Sequence, residues 1–85
     1  GIAVAKSGKV WTDFVVTTVK IGELGSEEIE NYLATGEPMD KAGAYGIQGI
    51  GALLVEEIHG CYNNVVGLPL RKLSDVLKKA GVHLL

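Results

Sequence analysis

The chain has 85 residues, 47% hydrophobic and only 6% aromatic, with ten acidic against eight basic side chains and a formal net charge of −2. That length suits one small domain with much of its surface in water, and its core must rest on Val, Leu, Ile and Ala rather than on rings. The slightly acidic balance offers no basic field to a nucleic-acid backbone, which excludes polymeric DNA or RNA as the expected partner while leaving a single nucleotide open.

Ile2 to Ala5 is apolar and short enough for a strand, and Ser7-Gly8 supplies a turn. Val10 to Ile21, rich in Val, Thr, Trp and Phe, reads as its antiparallel partner. Trp11, Asp13, Val15, Thr17 and Val19 share one face of that run, with Thr12, Phe14, Val16 and Thr18 on the other. Both faces are mixed, which predicts a sheet covered on both sides. Ser26 is the expected N-cap of a first helix, with Glu27 and Glu28 in the first turn where carboxylates favour the helix dipole. Ile29, Tyr32 and Leu33 form its apolar stripe, Gly36 closes it, and Pro38 prevents resumption. Glu27, Glu28 and Glu30 read as a solvated face rather than a metal site.

Gly36 to Gly51, GEPMDKAGAYGIQGIG, reads as a turn-rich connection. Beyond it, Ala52 to Ile58 reads as a strand, His59-Gly60 as a tight turn, and Tyr62 to Val66 as the returning hairpin strand. Pro69 suits the start of a second helix, in which Leu70, Leu73, Val76 and Leu77 face inward and Arg71, Lys72, Lys78 and Lys79 stay wet. Gly81 stops that helix. The expected fold is therefore α+β, a mixed and largely antiparallel sheet with two covering helices, in a single domain over residues 1–85.

A single cysteine, Cys61, excludes an internal disulfide, and no Cys/His cluster has zinc-ligand spacing. With that cysteine usage a cytoplasmic location is expected, and no apolar run reaches the roughly twenty residues that span a bilayer, so no membrane partner is expected. No signal peptide is visible, and the opening residues read as the interior of a longer protein. A mean hydropathy of +0.25 fits a chain that buries a face against something else, a homodimer included.

The chemistry-bearing residues concentrate in the glycine-rich stretch. Glycine permits positive φ and close approach of a ligand to the backbone, and Asp40, Lys41, Tyr45 and Gln48 lie among the glycines. Lys41 is either a phosphate contact or an exposed lysine paired with Asp40. The Gln48 amide offers a donor and an acceptor together, which matches a pyrimidine edge. A site built on such an amide rejects bases that leave it unpaired; the alternative is a glutamine that caps loop backbone. Tyr45 either stacks on a base or plugs the core beneath the loop, the commoner use. Asp40 could meet a metal through water or fix the loop's own geometry. Asn63 and Asn64 read as satisfying backbone groups. His59 and His83 lack a nearby nucleophile, and Cys61 reads as a small strand residue.

Gly36-Glu37-Pro38, Asp40-Lys41-Ala42-Gly43, Tyr45-Gly46-Ile47-Gln48-Gly49 and Asn64-Val65-Val66-Gly67-Leu68-Pro69, in that order, resemble the C-terminal half of the Maf family. Weaker similarity runs back through Tyr32 and Glu27-Glu28-Ile29 to Thr17-Thr18-Val19. These septum-formation-inhibitor proteins are nucleoside triphosphate pyrophosphatases related in fold to inosine triphosphatases, so the resemblance implies part of a two-lobed α/β parent. It also implies a divalent metal, Mg²⁺ or Mn²⁺, and a nucleoside triphosphate substrate cleaved to monophosphate and pyrophosphate. Ile47-Gln48-Gly49 is similar to the dTTP/UTP branch, with Gln48 setting base specificity and Lys41 approaching the phosphates. The family's serine- and arginine-rich start and its aspartate-bearing segment have no counterpart here; Asp13 stands in a different context, and no catalytic residue is identifiable. The alternative expectation is a catalytically inactive fragment that acts as a nucleotide-binding or dimerisation module.

Overall fold

A computed structural model describes all residues, 1–85. The chain forms two compact units, one built from Gly1–Thr17 with Gly60–Leu85 and the other from Thr18–His59.

In the first unit, β1 (Ile2–Lys6) and β2 (Lys9–Asp13) form an antiparallel hairpin with register Ile2↔Asp13 to Lys6↔Lys9. Its two-residue turn, Ser7-Gly8, has φ of 52° and 77°, the double left-handed geometry that matches strand twist. Two helices follow, α2 (Tyr62–Val66) and α3 (Leu70–Lys79), and α3 packs on both strands. The core is small: Val76 is 2% exposed and Ala80 is buried, while Leu70, expected inside, is 51% exposed. Lys6 Nζ donates to the Ala80 carbonyl at 3.2 Å, and Lys72 Nζ lies 3.6 Å from Asp13 Oδ2. Gly81, at φ 85°, ends α3 as expected.

The secondary structure departs from expectation at two places in this unit. Tyr62–Val66 is a helical turn, not a strand. Asn64 Nδ2 donates to the Val15 carbonyl at 3.0 Å and to Thr17 Oγ1 at 3.1 Å, while the amides of Gly67 and Leu68 both donate to the Asn63 carbonyl. These bonds compensate for the poor helix propensity of the paired Asn and Val residues. The long run from Val10 also stops at Asp13, because Asp13 Oδ1 accepts from the Phe14 amide at 2.8 Å and the Val15 carbonyl is taken by Asn64. Thr17 Oγ1 then donates to the Cys61 carbonyl at 3.2 Å. The alternation of faces persists through this break, but the second face is open rather than covered, with Phe14 68% and Val16 77% exposed.

In the second unit, β3 (Thr18–Ile21) pairs antiparallel with β4 (Val55–His59). The register runs Lys20↔Glu57 then Ile21↔Val55, so Glu56 is the extra residue of a bulge. The Gly22 amide donates to the Leu54 carbonyl at 3.0 Å beyond the ladder. Helix α1 spans Ser26–Ala34, and 3₁₀ turns η1 (Glu37–Asp40) and η2 (Ile50–Leu54) follow. Gly25, not Ser26, caps α1: its carbonyl accepts from the Ile29 amide and its N–H donates to Glu28 Oε1 at 3.4 Å. Gly36, at φ 77°, closes α1 as expected. The strand expected from Ala52 begins only at Val55, since the preceding residues wind into η2. The architecture is α+β, but as two separate two-stranded antiparallel sheets rather than one.

Candidate functional site

The glycine-rich loop of the second unit is folded around one carboxylate. Helix α1 delivers Tyr32, its buried residue, toward the loop, and the left-handed turn at Gly36 brings Glu37 back beside it. The Tyr32 hydroxyl donates to Glu37 Oε1 at 2.6 Å and accepts from the Gly46 amide at 2.9 Å. Glu37 Oε1 also accepts from the Gly51 amide at 2.9 Å, and Oε2 from the Ile50 amide at 2.9 Å. Two side chains thus satisfy three loop N–H groups that have no ladder to join.

The glycines follow from this arrangement. A Cβ on Gly49 would lie 2.5 Å from Glu37 Oε2, and one on Gly46 would lie 2.8 Å from Oε1. At Gly51 it would lie 2.5 Å from the Gly46 carbonyl and 2.7 Å from the Tyr32 hydroxyl. Each loop backbone therefore approaches the Glu37–Tyr32 pair more closely than a side chain allows.

The electrostatics agree with the geometry. The hydrogen bond from Tyr32, and then that from the Gly51 amide, hold the Glu37 carboxyl below its ordinary value. Burial first, and the bond to Glu37 second, push the Tyr32 hydroxyl up. Both shifts favour a phenol donating to an ionised carboxylate.

Gln48 lies between these anchored amides. The Gly49 amide donates to the Gly46 carbonyl at 3.2 Å, closing a turn with Ile47 and Gln48 at its centre. Gln48 is exposed, and the bonds that shape its turn run to Glu37, Tyr32 and loop backbone rather than to its own amide. Lys41 Nζ lies 3.3 Å from Asp40 Oδ1, and the Lys41 stem passes beside Gly46. Tyr45 is half-buried and, with Ile21, Leu24, Ile29, Leu33 and Leu54, lines an open apolar cavity of about 280 Å³. Gln48, Lys41 and Tyr45 therefore belong to one loop, with Lys41 and Gln48 exposed and Tyr45 turned to the cavity.

No three His, Cys, Asp or Glu side chains gather in a way that could hold a metal ion. The oxygens of Glu37 are engaged by Tyr32, Ile50 and Gly51, and Asp40 by Lys41. These carboxylate oxygens are thus already partnered within the protein. Sequence reasoning assigned no role to Glu37; the available signal was a carboxylate directly after a helix-closing glycine, ahead of closely spaced glycines. No helix is long and apolar enough to cross a membrane.

Comparison with known proteins gives the family. The dTTP/UTP pyrophosphatase of Clostridium botulinum (strain Loch Maree / Type A3) is 58% identical over 86 residues, covering 99% of this chain and 44% of that protein. The dTTP/UTP pyrophosphatase of Dictyoglomus turgidum is 58% identical over 87 residues, covering 100% of this chain and 45% of that protein. That of Clostridium tetani is 54% identical over 78 residues, covering 92% of this chain and 41% of its own length. The chain spans less than half the length of these curated relatives. A family model described as Maf-like protein matches residues 1–80, from β1 through the glycine-rich loop to the end of α3, and the chain belongs to that family.

Proposed function

We propose that this chain is the substrate-recognition part, the C-terminal half, of a cytoplasmic nucleoside triphosphate pyrophosphatase acting on dTTP and UTP. The observation that carries the reading is the exposed amide of Gln48 at the centre of a turn anchored on both sides, in a chain 58% identical to a dTTP/UTP pyrophosphatase. A pyrimidine offers a carbonyl beside an N–H, and one primary amide meets both. Lys41 supplies a cation for the phosphates, and Tyr45 supplies a ring at the edge of the apolar cavity for a base to rest against.

The reaction is hydrolysis at the α-phosphate, giving a monophosphate and pyrophosphate. Mg²⁺ or Mn²⁺ would enter with the triphosphate, whose charge it screens. The residues named here bind and orient; none of them is assigned the proton transfer. The 85-residue chain by itself is therefore expected to turn over little substrate. A second reading, a module that binds nucleotide or dimerises without turnover, is favoured by the exposed apolar side chains of Phe14 and Val16.

The test is titration of the chain with dTTP, UTP, dATP and dGTP in the presence of Mg²⁺, together with an assay for pyrophosphate release. Preferential uptake of dTTP and UTP, lost in Gln48→Ala without loss of folding, supports the reading. Equal affinity for all four bases, or an unchanged preference in Gln48→Ala, sinks it.

A further inference from the structure

The bonds that shape the Gln48 turn end on two side chains, Tyr32 and Glu37. Gly46 precedes Gln48 by two positions and Ile50 follows it by two; both amides, with that of Gly51, end on the Tyr32–Glu37 pair. The turn between them closes on itself through Gly49 and Gly46. Gln48 therefore sits at the crest of a segment held at both feet. Its backbone has little freedom to swing while those feet stay bound, and its side chain has no protein group to which it is committed.

The pair is also specific in its hydrogen-bond sense. The Glu37 carboxylate accepts three times, twice at Oε1 and once at Oε2. Only an ionised carboxylate serves all three donors; an amide of the same shape would turn an N–H₂ group toward an N–H. Tyr32 both donates and accepts, so it extends the reach of the carboxylate to Gly46.

We propose that Glu37, acting with Tyr32, is the positioning residue for base recognition: it fixes the Gly46–Gly51 segment so that the Gln48 amide is presented ready to read a pyrimidine edge. This rests on the dTTP/UTP reading of the loop. The physical basis is preorganisation. A loop already held in its binding conformation loses less entropy when the base docks, and the selectivity of its amide depends on a fixed direction. Glu37 makes no contact with substrate in this scheme, and Gln48 does all the reading.

The test uses the ¹⁵N-labelled 85-residue chain and two near-isosteric variants, Glu37→Gln and Tyr32→Phe. Amide hydrogen exchange is followed at Gly46, Ile50 and Gly51, with β1, β2 and α3 as internal references. In Glu37→Gln the three loop amides should exchange about tenfold faster while the reference amides hold their rates. Titration with dTTP and UTP should show affinity weakened about fivefold, whereas dATP, which lacks the pyrimidine edge that Gln48 reads, should change little. Tyr32→Phe should free Gly46 first and weaken pyrimidine binding by a smaller factor, which supports the pair even if Glu37→Gln fails to fold. Unchanged loop exchange in both variants overturns the inference. So does a freed loop whose dTTP and UTP affinities match those of a wild-type chain that binds them. A wild-type chain that takes up neither dTTP nor UTP overturns the function proposed above, and the base-positioning role falls with it.

Discussion

The Tyr32 hydroxyl donates to Glu37 Oε1 at 2.6 Å, and the pair collects the amides of Gly46, Ile50 and Gly51, the last two being first-turn donors of η2 that have no partner within it. Buried or half-buried backbone donors without partners are costly, so this pair is what allows so glycine-rich a segment to keep one shape.

The first consequence is a dependence on acid. Glu37 is depressed from its ordinary 4.5, chiefly by the Tyr32 bond. A carboxyl depressed in the folded state contributes stability that is complete above its unfolded value and is lost as pH falls through the lower folded value. Asp13 is depressed as well, first by the Phe14 amide and also by Lys72 and Lys79, so acid unfolding of the wild type alone does not separate them. Thermal unfolding of wild type and Glu37→Gln across pH does. The gap in Tm between them should stay constant near neutral pH and shrink below about 4.5, as Glu37 takes up its proton. A gap that persists in stronger acid would show that the carboxylate is not what holds the loop.

Tyr32 predicts the opposite limb. Its hydroxyl is raised above 10.0, first by burial and then by the bond to Glu37. A phenol raised in the folded state contributes stability below its unfolded value and loses it as pH rises through the folded one. Ultraviolet titration of the tyrosinate band should show a step above the ordinary phenol range, and Tyr32→Phe should remove it. A titration curve that Tyr32→Phe leaves without loss of such a step would contradict it.

Gly36 and Gly51 should fail differently when replaced by Ala. At Gly36 nothing lies within 4 Å of the added Cβ, but φ is 77°, so the cost is backbone strain alone, about 1–2 kcal/mol. Asn at Gly36 should recover part of it. At Gly51 the Cβ would meet the Gly46 carbonyl and the Tyr32 hydroxyl, so the loop must open. Urea unfolding should register both, while faster exchange at the Gly46 and Ile50 amides should appear only in Gly51→Ala. Matching exchange patterns would refute the distinction.

In the first unit, Val76→Ala should cost about 2 kcal/mol, the transfer of two methyl groups plus a small cavity. Leu70→Ala, at a half-exposed position on the same helix, should cost under about 1 kcal/mol. Chemical denaturation ranks them, and the reverse order would mean that α3 seats on another face. Asn64→Asp adds a separate check. It replaces the Nδ2 donor with an oxygen facing the Val15 carbonyl and should cost about 1–3 kcal/mol. Retained stability in that variant would show that the break between β2 and β3 does not depend on the Asn64 bonds.

Much of this was legible without coordinates. The closing of α1 at Gly36, the closing of α3 at Gly81 and the Ser7-Gly8 turn are local events, decided by which residues tolerate positive φ, and they stand where the residue types placed them. The alternation of faces from Trp11 to Val19 is equally local. The motif order was sufficient to name the family. What the residue types missed involves partners distant in the chain. Tyr62–Val66 has the composition of a strand and becomes a helix because Asn64 bonds Val15 and Thr17, 49 and 47 positions away. The run from Val10 breaks for the same reason, and one expected sheet becomes two. Glu37 gave no sign of its importance within its own neighbourhood, since two of its three donors come from residues 13 and 14 positions further on. Sequence by itself determined where the chain turns, which family it belongs to and which loop carries the polar groups, because those follow from short-range sterics and residue chemistry. Tertiary structure alone decided which carboxylate that loop folds around, because a hydrogen bond between distant residues depends on how the whole unit packs and leaves no local pattern to read.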